Sequence, residues 1–289
     1  MYLGVAGYGP GEIKKIDGGT VKKARELGFC VMAIRVADPQ AVTDRDIARV
    51  RSIFAGHGMI VGQTNGNYGG GLCSADERER GDAIKFLKRM VNLTKRLGAP
   101  NTYLRPGSMN RKGAWLPHPE NRSQAVFDRL VDSARQVCKV AENEGVMLAV
   151  EGGVVCPLYS PERVKDFLDA AGSKAIGFNM DPVNFIGSLE DAYNTPALLE
   201  RSYRLLDGRI VGAHAKDFTL VEALLPHFEE AVIGQPEAML DEVAFLKGMQ
   251  RACPGAHILV EHYPEEKMPA AAAGLRKAAE KAGIKWDMP

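Results

Sequence analysis

The sequence predicts a single (β/α)8 barrel spanning residues 1–289. Three observations point to it. Short runs rich in β-branched residues alternate with polar loops and amphipathic helical stretches along the whole chain. The short runs are continuously apolar rather than strictly alternating, as expected of a parallel sheet whose outer face is covered by helices. Eight such units fit into 289 residues, in the size range of one barrel. An open, doubly wound sheet is the competing arrangement. It is weakly supported, because Gly7-Tyr8-Gly9-Pro10-Gly11 after the first strand lacks the GxGxxG spacing of a dinucleotide turn.

The strands are expected at Leu3–Ala6, Val31–Val36, Met59–Gln63, Thr102–Arg105, Val146–Glu151, Ala175–Asp181, Ile210–His214 and Ile258–Glu261. Helices are expected near 17–27, 43–57, 76–97, 121–144, 160–171, 194–207, 237–252 and 268–282. Their ends carry local signals. Thr43 followed by Asp46 has the spacing of a capping box. Ser160-Pro161 sets a capping hydroxyl before a proline at the first helical position. Gly28, Gly98, Gly145, Gly172 and Gly208 each close a helical stretch just before the next strand. No linker, low-complexity tract or fixed-period repeat divides the chain.

Composition narrows the class of function. Hydrophobic residues make up 45% and charged ones 25%, enough apolar surface to build a core and to exclude disorder as the main state. Lys and Arg number 37 against 36 Asp and Glu, a net charge of +1. That balance gives no general attraction to nucleic acid or an anionic membrane, and no apolar run approaches the roughly 20 residues that span a bilayer. The five cysteines are odd in number and widely spaced, with no CxxC. They read as reduced thiols in a cytoplasmic protein rather than a disulfide frame or a zinc knuckle.

Barrel enzymes carry their chemistry at the C-terminal ends of the strands. There the fifth to eighth strands deliver Glu151, Asp181, His214 and Glu261. Three carboxylates meeting in one barrel mouth would repel each other and raise each other's pKa. A divalent cation removes that penalty. Three carboxylates and one imidazole form a hard, oxygen-rich set that favours Mn²⁺ or Mg²⁺, with Co²⁺ or Zn²⁺ also compatible. The weight lies in the equivalent placement of all four. A lone strand-end Glu is often only solvated or a cap, and His57, His227 and His257 are read as packed or surface groups.

The runs Val150-Glu151-Gly152, Asn179-Met180-Asp181-Pro182-Val183-Asn184, Ala213-His214-Ala215-Lys216-Asp217 and Val260-Glu261 resemble the xylose-isomerase-like superfamily of barrels. They look most like its sugar isomerase/epimerase branch, with tagatose 3-epimerase, hydroxypyruvate isomerase and inosose dehydratase. The resemblance implies a metal held by Glu151, Asp181, His214 and Glu261. It also implies that Glu151 and Glu261 move protons on opposite faces of the substrate. Two positions depart from the epimerase pattern. Asn184 stands where a His is common, and Lys216-Asp217 follow His214 in place of a second His. Endonuclease IV, a cousin acting on DNA, needs further His ligands, one of which Asn184 replaces.

The loop after the fourth strand, residues 105–121, is rich in polar and aromatic groups. Trp115 is expected either to stack on a sugar or aglycone ring or to act as a lid. His118 is either an added general acid or base or a plain loop residue; a similar His-bearing loop is suspected in a metal-dependent branch that cleaves C-glycosides. Arg105, Asn184, Lys216 and His262 are expected to hold substrate oxygens, and Lys216 also to neutralise an enediolate. The first expectation is thus a metal-dependent sugar isomerase or epimerase. The second is a lyase on a keto-sugar or keto-inositol, a dehydratase or C-glycoside deglycosidase, in which His118 serves the departing group. The third, a sugar-binding barrel without catalysis, is disfavoured by the intact ligand set. A small sugar or sugar derivative is the expected partner, with a second copy or second subunit also compatible.

Overall fold

The computed structural model describes residues 1–69 and 71–289. Eight parallel strands close into a barrel: β1 (Tyr2–Val5), β2 (Val31–Val36), β3 (Ile60–Gly66), β4 (Asn101–Leu104), β5 (Met147–Val150), β6 (Ile176–Met180), β7 (Ile210–Ala215) and, after a hairpin, β10 (His257–Val260). β10 pairs with both β7 and β1, which closes the ring: Val5 sits opposite Val260, and Val260 opposite Ala215. Closure leaves no strand edge unpaired.

The helices α1 (Gly18–Glu26), α2 (Asp44–Gly56), α3 (Glu77–Leu97), α4 (Gln124–Glu144), α5 (Pro161–Ala171), α6 (Leu189–Tyr193), α7 (Thr195–Leu205), α8 (Glu242–Ala252) and α9 (Met268–Ala282) lie between and after the strands. Each longer helix buries one stripe. On α3 the buried residues include Ile84, Leu87, Met90, Val91 and Leu97, at the 3–4-residue spacing of one helix face. The ends are as the sequence predicts. Thr43 and Asp46 form a capping box on α2, Ser160 caps α5 with Pro161 following, and Gly98 and Gly145 adopt φ of 78° and 66° as they close α3 and α4.

Three elements differ from expectation. The helix expected at 194–207 is α7, and a short helix that was not expected, α6, precedes it; Pro196 at the start of α7 has no N–H to continue α6. The helix expected at 237–252 begins at Glu242, where Asp241 accepts from Ala244 N–H. An antiparallel hairpin, β8 (Asp217–Val221) and β9 (His227–Ala231), rises from the rim directly after β7. No disulfide joins the cysteines, and among the described residues no helix is long and apolar enough to cross a membrane.

Candidate metal centre

The strands bring four expected ligands and one lysine to a single point in the barrel mouth. Glu151 follows β5, Asp181 follows β6, His214 sits near the end of β7 and Glu261 follows β10. Backbone hydrogen bonds from Glu151 N to Leu104 O and from Glu261 N to Ala215 O hold the two glutamates in strand register beyond their strands. None of these four residues, nor Lys216, is more than 7% exposed.

His214 Nδ1 lies 2.6 Å from a Glu151 oxygen and 2.8 Å from a Glu261 oxygen. Lys216 Nζ lies 2.9 Å from Asp181 and donates to Glu261 at 3.0 Å. Glu151, Asp181 and His214 each offer a ligand atom within 4.8 Å of one another. Asp181 Oδ1 and His214 Nδ1 are both buried, and neither makes an aligned hydrogen bond among the described residues. A buried acceptor without a donor costs about 1–3 kcal/mol or more. Asp181 Oδ1 is such an acceptor, and His214 Nδ1 stands against two carboxylate oxygens; a divalent cation would take both atoms.

Charge points the same way. Three carboxylates against one ammonium leave a buried excess of two negative charges when His214 is neutral, which one dication cancels. Without it the titrating groups absorb the imbalance. Burial, with Glu151 and Glu261 nearby, pushes the Asp181 carboxyl up to about 7 although Lys216 opposes this. Burial works against a charged His214 and a charged Lys216, but the surrounding carboxylates outweigh it and hold both well above their ordinary values. Glu261 goes the other way: burial would raise it, and His214 and Lys216 pull it well below the usual carboxylate range.

A layer of neutral side chains that the charged-residue pattern does not reveal supports the cluster. Tyr103 OH donates to Glu151 at 2.8 Å, and its ring stacks on His214 at a centroid distance of 5.8 Å. Asn179 Nδ2 donates to Glu151 at 2.9 Å. Gln63 Oε1 stands 3.0 Å from His214 Nε2. Asn184, where the resembling epimerases have a histidine, donates to Asp181 at 2.9 Å and to Glu151 at 3.4 Å.

A cavity of about 660 Å³ opens over this centre, lined among others by Tyr103, Arg105, Trp115, His214, Glu261 and His262. A larger one, about 870 Å³, lies outside it and shares Arg105 and Trp115 but none of the metal-ligand candidates. We assign the chemistry to the smaller, because it reaches Glu261 and His214 and the larger reaches neither. The Arg105 guanidinium turns to Gly69 O at 2.9 Å and packs over the Tyr68 ring. His262 adopts φ 67°, rare for a non-glycine residue, and faces Glu230 of the hairpin at 2.6 Å. His118 is not among the residues lining the cavity over the carboxylates. It caps a 3-10 turn, its Nδ1 accepting from Glu120 N–H at 3.3 Å, because the flanking Pro117 and Pro119 fix the loop there.

Residues 21–283 match the model of a family described as xylose isomerase-like TIM barrel. No curated protein matches the chain in sequence. Similar solved structures include a xylose isomerase-like TIM barrel protein from Mycobacterium smegmatis in complex with magnesium (15% identity, 96% of this chain and 95% of that one, TM-score 0.70). D-psicose 3-epimerase with D-tagatose from Clostridium cellulolyticum H10 is 13% identical over 99% and 100% of the chains, TM-score 0.73. The apo form of 3-keto-D-glucoside 4-epimerase from E. coli is 15% identical over 96% and 99%, TM-score 0.72. At these identities the likeness is one of fold.

Proposed function

This chain belongs to the xylose isomerase-like TIM barrel family, and from that premise we propose that it is a divalent-metal-dependent sugar isomerase or epimerase. One observation carries the reading. Three buried carboxylates and an imidazole converge under an open cavity, with Asp181 Oδ1 and His214 Nδ1 left without donors. Glu151, Asp181, His214 and Glu261 would hold the cation, Mn²⁺ for preference among hard dications; the magnesium in one neighbour supports that class. When bound, it supplies Lewis acidity that lowers the cost of negative charge on two adjacent substrate oxygens.

The residues of the chain do the rest. Glu151 and Glu261 both lie against His214 Nδ1. One takes the proton from the carbon next to the carbonyl, and the other returns a proton to the opposite face or to the neighbouring carbon. Tyr103, Asn179 and Asn184 all donate to Glu151 and so fix its direction. Lys216 offers a positive charge beside the developing enediolate. Trp115 lines the cavity and would offer an indole face to a sugar ring. His262, held by Glu230, is placed to contact a substrate hydroxyl. His118 has no part in this scheme.

The test is a panel of ketoses and 3-keto sugars incubated in D₂O with Mn²⁺. Deuterium gained at the carbon beside the carbonyl, with no group released, is the expected result. Release of water or an aglycone would instead assign a lyase. Undiminished turnover after exhaustive chelation would remove the metal from the reaction.

A further inference from the structure

We infer that Gln63 is a positioning residue of the metal centre: with Asn179 it transmits the polarity of the Glu151 carboxylate to the far side of the His214 ring, so that Nε2 keeps its hydrogen and Nδ1 turns its lone pair to the cation. The inference rests on the metal centre proposed above, but concerns residues that supply no ligand atom to it.

Donors and acceptors alternate along a buried chain of side chains. A neutral imidazole has one N–H and one lone pair, and the hydrogen bond at one nitrogen decides which nitrogen is free. Glu151 as a carboxylate can only accept. Asn179 Nδ2, 2.9 Å from it, must therefore be the donor end of that amide. This sends Asn179 Oδ1 the other way, towards Gln63 Nε2 at 3.4 Å, and Gln63 donates to it. The Gln63 oxygen is then the end that faces His214 Nε2 at 3.0 Å. An amide oxygen can only accept, so Nε2 must carry the hydrogen. Nδ1, the other ring nitrogen, lies among the carboxylates; it is therefore the nitrogen that would give up its hydrogen and turn a lone pair to a cation bound there. Reversing either amide would set two donors or two acceptors against each other in a dry site, at about 1–3 kcal/mol for each unpaired group.

The fold holds this chain in one arrangement. Gln63 is 2% exposed and Asn179 1%, so water does not offer an alternative partner. Asn179 on β6 sits opposite Gly212 on β7. A Cβ at Gly212 would stand 3.0 Å from Asn179 Oδ1, so the glycine leaves the space in which that oxygen turns to Gln63. The chain thus links two ligand candidates, Glu151 and His214, through β5, β6, β3 and β7.

Hydrogen-bonded partners of this kind change metal affinity by roughly 10–100-fold. The test titrates Mn²⁺ into wild type, Gln63→Met and Gln63→Glu, and reads the dissociation constant. Met keeps the length but has no oxygen for Nε2–H, and should bind Mn²⁺ about 10-fold or more weakly. Glu keeps an oxygen opposite Nε2 and, protonated on its other oxygen, still donates to Asn179 Oδ1, so it should recover most of the loss. Independently, the ¹⁵N signals of His214 in the Mg²⁺-loaded wild type should show a protonated Nε2. Wild-type affinity in Gln63→Met, equal losses in both variants, or a protonated Nδ1 would each overturn the relay and leave the metal centre standing. A wild-type protein that binds no Mn²⁺ at all would instead remove the centre itself.

Discussion

Lys216 and the three carboxylates show what burial does to a charged residue. Lys216 is 4% exposed and lies about as close to Asp181 as to Glu261. Removing one member of such a group leaves its partners buried and uncompensated, which costs about 3–5 kcal/mol. Lys216→Met should therefore lower the stability of the chelator-treated protein by roughly that amount in urea denaturation, and by less with Mn²⁺ present, since the dication also faces Asp181 and Glu261. An equal loss with and without metal would show that the cation does not share these carboxylates. Glu261→Gln is different in kind. It keeps the shape, still accepts from Lys216 and removes one of three mutually repelling carboxylates, so turnover should disappear while the melting temperature changes little. The charged members of the site were readable in the sequence because acids and a histidine recur at equivalent strand ends. Gln63 and Tyr103 were not, because a neutral polar residue inside a strand looks like any other until its partners are known. His118 was readable as a residue type, but its direction depends on a turn between two prolines.

Elements show the same division. Capped helices and continuously apolar strands announce themselves locally, and the barrel elements lie where expected, with boundaries shifted by a few residues. The hairpin of β8 and β9 does not announce itself. Its strands are half exposed and polar on one side, and their pairing depends on contacts made elsewhere. Asp217, at the hairpin's base, accepts N–H groups from Phe218, Met239 and Leu240, so it ties the hairpin to the approach to α8. Behind it, in the first turn of α8, Glu242 is buried with no partner for either oxygen among the described residues. Burial, with Asp217 and Asp241 adding to it, pushes this carboxyl well above its ordinary value. The sign of the effect on stability follows. Below the unfolded-state value near 4.5 the group is protonated in both states and costs nothing. As pH rises above it, the unfolded chain ionises while the fold retains the proton, and stability falls by up to about 1.4 kcal/mol per pH unit. Glu242→Gln cannot ionise. Its stability relative to wild type should therefore grow between pH 5 and pH 8 in parallel denaturant titrations. A constant difference across that range would mean that Glu242 is ionised in the fold.

At the scale of the molecule, the barrel closes through β10, and closure places four consecutive strands of the ring so that their last residues share one point. Most of the chain therefore serves to hold a charge imbalance of two that no side chain in the mouth can remove. That figure already counts Lys216, and His214 lessens it only by carrying a proton at the nitrogen a metal would need. A fold with such an imbalance should be most stable when a dication is bound, because binding to the native state alone stabilises by RT ln(1 + [L]/Kd), about 2.7 kcal/mol at 100 times Kd. For a chain of this size that corresponds to a rise of roughly 4–5 °C in melting temperature. Thermal melts of the chelated protein with increasing Mn²⁺ should show this shift. It should be lost in Asp181→Asn, which removes one negative charge, and persist in Trp115→Ala, which lines the cavity without touching the ligands. The same shift in all three proteins would place the bound cation somewhere other than the barrel mouth.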